Sequence, residues 1–315
     1  MRTFRVKSSR LKLTGLFVIV AVLGLTACSN LGGQYKQVLA WGSKGTGDGQ
    51  FQYVEDFAFN RRGQLLITDA LNSNVQVFTR DGKYISQFGG KGSQPGSLEK
   101  PEGIAVDSAG NIFIADYLTG YIKKYDKHYK WVKTFSGLGS KPGQTQESEF
   151  GCYNATNGLL YFADAGNNRV DVFNTEGVFQ FIFGDRGQYK LNRPEAAKCA
   201  RNGNIYVSDL GNNRVQLYTS KGVFIKQWGK RGRGNGDFKK PAGVAVGPKG
   251  NIFVTEIGND RVQKFDAQGT FITKWGESGN GPGEFNNLHG IIVDPEGNVY
   301  VADTANNRVQ KFSLT

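Results

Sequence analysis

One recurring position of the sequence collects residues that can ligate cations. Six segments of the chain open with a short motif that reads Pro-x-Gly in its clearest copies. The residues at its middle position are, in chain order, Glu55, Glu102, Phe150, Glu195, Ala242 and His289. Carboxylate and imidazole groups bind divalent cations, and carboxylates also pair with cationic or hydroxylated organic ligands. We therefore predict a shared binding site, with Glu55, Glu102, Glu195 and His289 as the ligands should a metal ion bind. Ordinary solvated charge at loop ends is the alternative interpretation.

Two bulky polar residues stand nearby in the sequence, where the other segments have a small apolar one. Tyr153 and Lys198 take the place that Ala105 and Ala245 occupy in their own segments. Such substitutions indicate a specialised pocket wall, and drift within a degenerate repeat is the alternative. We predict that Tyr153 and Lys198 line the same site and that Lys198 offsets the repulsion between its carboxylates.

These positions belong to a repeat of nearly constant length. An acidic residue closes the second hydrophobic stretch of each unit, with spacings of 47, 48, 45, 47 and 47 residues, at Asp69, Asp116, Asp164, Asp209, Glu256 and Asp303. The stretches are rich in Val, Ile, Phe and Tyr and are separated by Gly-Asn, Asn-Asn or Asp-Gly pairs, which predicts four antiparallel strands per unit. Apolar residues on both faces require neighbours on both sides, which radial stacking supplies. The predicted fold is an all-β, six-bladed β-propeller.

The sixth unit lacks its fourth strand, because the sequence ends shortly after Phe312. Residues 35–42 match residues 270–276 in their aromatic-glycine ending. We predict that this N-terminal strand completes the last blade, closes the ring and removes two open edges. The propeller then spans residues 35–315, and the candidate binding positions surround one mouth of its central channel.

The full repeat resembles a known family. Its pattern is Pro-x-Gly-x-Ala-Val-Asp, then Gly-Asn-hydrophobic-aromatic-hydrophobic-Ala-Asp, then Asn-x-Arg-Val-x-x-Phe, clearest in residues 101–125, 241–265 and 290–312. This pattern resembles NHL repeats, and the resemblance covers roughly residues 35–315. It implies a propeller fold, but it does not choose a function. NHL-like propellers include amidating lyases, lactonase-like enzymes, RNA-binding domains and extracellular sensor domains.

The two histidines limit which enzyme classes fit. A zinc site of the amidating-lyase kind needs several imidazole ligands, whereas the chain holds only His128 and His289, and His128 is predicted in an outer hairpin turn. A calcium-type lactonase or hydrolase with oxygen ligands, or a lyase-like enzyme, remains the alternative. We favour a binding module without a cofactor, one whose partner is a protein, peptide or envelope polymer and which is itself a monomer.

The first 27 residues have the three regions of a secretory signal peptide. A basic start precedes an apolar run, and the run ends in Leu-Thr-Ala-Cys at Cys28. This ending resembles the lipobox of bacterial lipoproteins, in which the cysteine carries the lipid. We therefore expect an exported chain anchored at the cell envelope through lipidated Cys28, with residues 28–34 as a short tether. Ser29 favours the outer membrane in a Gram-negative cell, and an ordinary signal peptide is the alternative.

Charge argues against nucleic acid as the partner. The proposed signal holds five of the 39 basic residues and none of the 27 acidic ones, so its removal lowers the net charge from +12 to +7. A moderately basic exported domain does not fit RNA binding. One loop is strongly basic and could dock an anionic surface or polymer, the alternative being a solvated flexible loop. Its basic residues are Lys230, Arg231, Arg233, Lys239 and Lys240.

Besides Cys28, the chain contains Cys152 and Cys199. Counted from the glycine of each repeat, side-chain alternation points both cysteines the same way around the ring. We therefore expect two buried thiols rather than a disulfide.

Overall fold

The computed structural model describes residues 33–315, which form β-strands and connecting turns with two single-turn 3-10 helices, Leu210–Asn212 and Thr304–Asn306. The predicted signal peptide, Cys28 and most of the predicted tether lie outside these residues. Within the described part of the chain, no helix is both long and apolar enough to cross a membrane.

The strands form six four-stranded antiparallel blades, in which the first strand of each lies innermost. Blade 1 contains β2 (Val54–Phe59), β3 (Leu65–Asp69), β4 (Asn74–Phe78) and β5 (Tyr84–Gly89). Blade 2 contains β6 (Pro101–Val106), β7 (Ile112–Asp116), β8 (Tyr121–Tyr125) and β9 (Trp131–Ser136). Blade 3 contains β10 (Ser148–Asn154), β11 (Leu159–Asp164), β12 (Arg169–Asn174) and β13 (Phe179–Phe183).

The second half of the ring repeats this order. Blade 4 contains β14 (Pro194–Cys199), β15 (Ile205–Asp209), β16 (Arg214–Tyr218) and β17 (Phe224–Trp228). Blade 5 contains β18 (Pro241–Val246), β19 (Ile252–Glu256), β20 (Arg261–Phe265) and β21 (Phe271–Trp275). Blade 6 contains β22 (Ile291–Val293), β23 (Val299–Asp303), β24 (Arg308–Leu314) and the N-terminal strand β1 (Tyr35–Trp41).

The hydrophobic core is divided into six layers, and each layer lies between two neighbouring blades. Strand β3 is buried along its whole length, whereas the outermost strand β5 alternates between half-buried and exposed residues. This burial pattern follows from sheets that are covered on both faces near the axis and meet solvent at the rim. The six-bladed propeller prediction is confirmed.

Strand β1 closes the ring as predicted. It pairs antiparallel with β24, from Tyr35 opposite Leu314 to Trp41 opposite Val309. The Tyr35 ring stacks on Trp275 of blade 5 with ring centroids 4.5 Å apart. We call the end of the channel where the inner strands begin the upper end, and the opposite end, where β1 also begins, the lower end.

The expectation of two free thiols is wrong, because Cys152 and Cys199 form a disulfide with their Cα atoms 5.7 Å apart. Ile104, Gly151 and Ala197 all pair with the residue two places before the acid that ends the second strand of their blade. Cys152 is therefore one place past this position and Cys199 is two places past it. Alternation then points the two side chains to opposite faces, and they meet between blades 3 and 4.

The error arose from one extra residue in blade 3. Asp116 and Asp164 are 48 residues apart in the sequence, whereas the equivalent inner-strand residues Ile104 and Gly151 are 47 apart. The additional residue lies in the hairpin after β10, not before it. Gly151 therefore does not occupy the glycine position of the repeat, although it is the nearest glycine.

Candidate functional site

The upper end of the channel carries four glutamates at equivalent positions of the inner strands, not three. With the corrected register, the equivalent position in blade 3 belongs to Glu149, and the prediction of Phe150 there is wrong. Phe150 is fully buried one place further along, where blade 2 has Gly103. The corrected position reads Glu55, Glu102, Glu149, Glu195, Ala242 and His289 around the ring. We call the four glutamates the carboxylate ring.

The backbone at the carboxylate ring is held in place by bulges and close contacts. The pairing of inner and second strands shifts register at this position, for example between Val54 and Phe57 in blade 1. A β-bulge redirects a side chain without ending the strand. Neighbouring inner strands approach so closely that a Cβ on Gly290 would lie 2.0 Å from the carbonyl oxygen of Glu55. The Thr68 hydroxyl also donates to the carbonyl oxygen of Glu102 over 2.8 Å.

The carboxylate ring is buried and short of positive charge. Glu55, Glu102 and Glu149 are only 3–4% exposed. Burial, followed by the charges of Glu102 and Glu195, raises the pKa of both Glu55 and Glu149 well above the usual range. Burial and the charge of Glu102 raise the pKa of Glu195 to about 8. In the absence of a bound cation, the ring therefore retains protons at neutral pH.

Lys100 supplies an ammonium group to the ring, with its Nζ atom 2.5 Å from Oε1 of Glu102 and 3.9 Å from the Tyr117 ring centroid. Burial alone would lower the pKa of Lys100, but Glu102 and Glu55 raise it above the ordinary value. Among the described residues, Lys100 is the only lysine or arginine within salt-bridge distance of a glutamate of the carboxylate ring. Three of the four carboxyl groups thus have no such partner.

His289 occupies the equivalent position in blade 6, beside the carboxylate ring, and is neutral. Burial, followed by the charge of Lys100, lowers its pKa to about 4. Its Nδ1 atom lies 3.3 Å from Oε2 of Glu55, yet the two are not aligned for a hydrogen bond. This buried nitrogen therefore has no hydrogen-bond partner within residues 33–315.

A second layer of polar residues forms the rim above the ring. Arg193 and Glu147 form an ion pair at 2.7 Å, and the Asn287 amide lies 3.3 Å from the Tyr53 hydroxyl. Burial and the charge of Glu55 raise the pKa of Tyr53 to about 12. The acids that end the second strand of each blade hold these rim loops: Asp69, for example, accepts a 2.9 Å hydrogen bond from the backbone N–H of Tyr53.

Lys198 and Tyr153 do not lie on the wall of this site, so that prediction is wrong. Lys198 reaches across the channel to Asp56 of blade 1, with its Nζ atom 2.7 and 3.0 Å from the two carboxylate oxygens. Tyr153 is at the lower end, and its hydroxyl lies 3.1 Å from Oγ of Ser108. Both residues and the disulfide line a channel cavity of about 220 Å³. Lys198 and Tyr153 lie three and four residues past the ring position of their own strands, which is roughly 10–13 Å of strand rise.

The predicted basic loop is at the upper end and is anchored by its backbone. Phe238 is fully buried, and its N–H donates to the carbonyl oxygen of Lys230 over 2.8 Å. The side chains of four of its five basic residues are exposed and Lys239 is half-buried. Their binding to an anionic partner stays a prediction.

The described residues do not form a set of ligands already arranged for the predicted metal ion. Within residues 33–315, no group of three or more His, Cys, Asp or Glu side chains is arranged to hold a metal ion. The sequence interpretation missed Glu149, Asp56 and Lys100. Counting 47 residues from Glu102 would have found Glu149, whereas nothing in the sequence pairs Asp56 with Lys198.

Fold and site together define a six-bladed β-propeller with a buried polar site at one mouth of its channel. The sequence matches the family model described as "6-bladed beta-propeller" (DUF5128) over residues 46–136 and 247–315, slightly more than half of the chain. The chain belongs to this family. Comparison with curated protein sequences gave no match.

Several solved structures share the fold. A Bacteroides thetaiotaomicron protein of unknown function aligns with a TM-score of 0.71 and 18% identity, over 90% of this chain and 76% of that one. A virginiamycin B lyase from Staphylococcus aureus aligns with a TM-score of 0.62 and 16% identity, over 86% and 82% of the two chains. A Xanthomonas campestris gluconolactonase gives 0.63 and 14%, over 85% and 88%. At these identities the likeness concerns the fold alone.

Proposed function

We propose that this chain is a membrane-tethered, extracytoplasmic NHL-type propeller that binds a protein, peptide or envelope polymer. The ligand presents a cationic group, an amine or guanidinium, to the carboxylate ring. The repeat pattern and the lipobox-like sequence at Cys28 support the family type and the anchor. The carboxylate ring supports the ligand class.

The observation that carries the proposal is the excess of buried carboxyl groups over cations at the upper end. Four glutamates converge there, and Lys100 contacts one of them. In that contact the alkylammonium group of Lys100 pairs with the Glu102 carboxylate and lies over an aromatic ring. A ligand with a lysine-like amine would make the same kind of ion pair with the other carboxylates. A ligand cation would stabilise the ionised carboxylates and displace their protons.

Two features support an exported, anchored location. Disulfides such as Cys152–Cys199 persist in oxidising compartments and are rare in the cytosol. Strand β1 begins at the lower end, so the described part of the chain enters the propeller at the end opposite the carboxylates. A tether of residues 28–34 spans at most about 25 Å when extended. A tether this short keeps the lower end close to the membrane and leaves the carboxylate ring accessible.

Calorimetric titration of a trilysine peptide into the full-length protein in detergent tests the ligand class. We expect binding at pH 8, weaker binding at pH 6 where ring protons compete, and a loss of about tenfold in affinity for Glu149→Gln. Glu149 is suited to the test because its substitution leaves the Lys100–Glu102 pair intact. Glu99→Gln, an upper-end acid outside the ring, is the matched control and should bind like wild type. Equal affinities for Glu149→Gln and wild type would contradict the proposal.

The same instrument tests the second candidate, a metal-dependent lactonase, hydrolase or lyase-like enzyme. The observation that favours it is the set of carboxylate oxygens, the ligands that calcium prefers, on a fold shared with the gluconolactonase and the virginiamycin B lyase. Calcium, magnesium and zinc are titrated separately. Micromolar binding of any of them that disappears in Glu102→Gln would replace the binding-module proposal with the enzyme.

A further inference from the structure

The lower end of the propeller contains a lysine position that is neutralised in two blades but not in a third. Lys124, Lys264 and Lys311 occupy equivalent places in the third strands of blades 2, 5 and 6. Each ammonium group lies over an equivalent aromatic ring, at 5.7 Å from Phe113, 5.5 Å from Phe253 and 5.3 Å from Tyr300.

An outer hairpin turn of the next blade caps two of these lysines. Nζ of Lys124 donates to the Thr175 carbonyl and to the Glu176 carboxylate, both over 2.9 Å. Nζ of Lys311 donates to the Arg80 carbonyl over 3.2 Å and lies 3.5 Å from the Asp81 carboxylate. Each cap thus supplies one carbonyl and one carboxylate from equivalent turn positions.

Lys264 lacks this cap because its neighbour is blade 6, where β24 and β1 are not joined by a hairpin turn. Its ammonium group is in a side chain only 9% exposed and contacts the Tyr35 hydroxyl over 3.1 Å. No carboxylate of the described residues lies within salt-bridge distance of it. Residues 1–34 contain no Asp or Glu, so the N-terminal segment has no acid to supply.

A cavity of about 290 Å³ opens at this missing cap. Lys264 and Lys249 line it together with Asn251, and its apolar wall includes Phe253 and Leu314. Burial, and then the charge of Lys249, lowers the pKa of Lys264. Glu296 also borders the cavity, but its carboxylate is paired with Arg80.

We propose that this cavity binds a phosphate group, which takes the place of the carboxylate that caps Lys124 and Lys311. Two ammonium groups match the two charges of a phosphate monoester, and lysine binds phosphate as a point charge. The cavity is larger than a carboxylate requires, and its apolar wall can contact the remainder of the ligand. The phosphate comes either from a soluble phosphate ester or from a lipid headgroup.

Calorimetric titration of inorganic phosphate into the full-length protein in detergent tests the site. We expect wild type to bind phosphate, Lys264→Met to lose about tenfold or more in affinity, and Lys311→Met to bind like wild type. Lys311→Met is the matched control, because it makes the same change at the equivalent, internally capped position. Lys249→Gln, at an exposed residue that does not support the core, should weaken binding several-fold. Absence of phosphate binding in wild type, or an equal loss in both methionine variants, would overturn the proposal.

Competition then identifies the source of the phosphate. Glycerol 3-phosphate, phosphatidic acid in the micelles, which also carries a phosphate monoester, and phosphatidylcholine in the micelles, whose phosphodiester carries one charge, are each tested for displacement of inorganic phosphate. Displacement by a phospholipid at lower concentration than glycerol 3-phosphate supports a headgroup site, and the reverse order supports a soluble ester. Displacement that persists unchanged in Lys264→Met would overturn the assignment to this cavity.

Discussion

The carboxyl groups at the upper end are held in an environment that opposes their ionisation. Glu55, Glu149 and Glu195 all have raised pKa values, because burial removes water and neighbouring carboxylates repel one another. In a structural ion-pair network each carboxylate would have a cationic partner, as Asp56 has in Lys198 further along the channel. This lack of cations around the ring supports the proposal that its ligand is a cation.

Glu195 should make the free protein less stable as the pH rises. Its carboxyl group ionises near pH 4.5 when unfolded but near pH 8 when folded, so its contribution to stability is complete below about pH 4.5 and is lost as the pH rises to 8. Glu195→Gln stays neutral, and we expect it to unfold with a free energy about 4 kcal/mol greater than wild type at pH 8 and nearly equal at pH 4.5. Urea denaturation at both pH values measures this. A difference independent of pH would contradict it.

The sequence predicted the position of the candidate site correctly in five blades and misplaced it by one residue in blade 3. Repeat spacing is enough to align Glu55, Glu102, Glu195 and His289, because no insertion separates these residues from their markers. In blade 3 Gly151 served as the marker, but this glycine is needed for a different reason. A Cβ there would lie 2.4 Å from the Phe162 ring, so packing within the blade explains it.

At the scale of the strand, the structure uses two different devices to join its blades. Strands β1 and β24 close the ring non-covalently, and the disulfide links the inner strands of blades 3 and 4, halfway around. Those inner strands also make a parallel bridge from Phe150 to Ala196. The closure was predictable because an aromatic-glycine pair ends the fourth strand of every blade except blade 2, where Phe135 is followed by Ser136. The disulfide was not, because a shift of one residue reverses the face of a strand.

Reduction of the disulfide should destabilise the propeller. The bond joins residues 47 apart, and the chain-entropy model gives about 4 kcal/mol for a loop of that length. We expect dithiothreitol to lower the free energy of unfolding of wild type by roughly this amount, and to have no effect on the Cys152→Ser, Cys199→Ser double variant. Guanidinium denaturation with and without reductant makes the comparison. Equal midpoints for reduced and oxidised wild type would show that the link adds nothing to stability.

The molecule as a whole has two chemically different ends. The upper end carries the carboxylate ring, its polar rim and the exposed basic loop, whereas the lower end carries the channel cavity beside the disulfide and the uncapped Lys264. The N-terminal strand enters at the lower end. With the proposed anchor and the proposed phosphate site, the protein would present its acidic site to the surroundings and its phosphate site to the membrane.

The proposed anchor predicts a covalent lipid on one residue. When the gene is expressed in a bacterium grown with radiolabelled palmitate, the wild-type protein should incorporate label and Cys28→Ser should not. Ser29→Ala is the control, since it changes the neighbouring residue without removing the thiol, and it should remain labelled. The propeller should keep its near-ultraviolet circular dichroism in all three proteins. Labelling of Cys28→Ser would contradict lipidation at this position.

The attachment of the tether to β1 also determines how the protein responds to force. Strand β1 runs from the lower to the upper end, and its pairing with β24 extends over most of that distance. A ligand held at the carboxylate ring and an anchor pulling at residue 33 would stretch the molecule along this strand. The β1–β24 hydrogen bonds would then be loaded together in shear, not broken one after another as in unzipping. The strand that closes the ring would thereby also be the mechanical link to the proposed anchor.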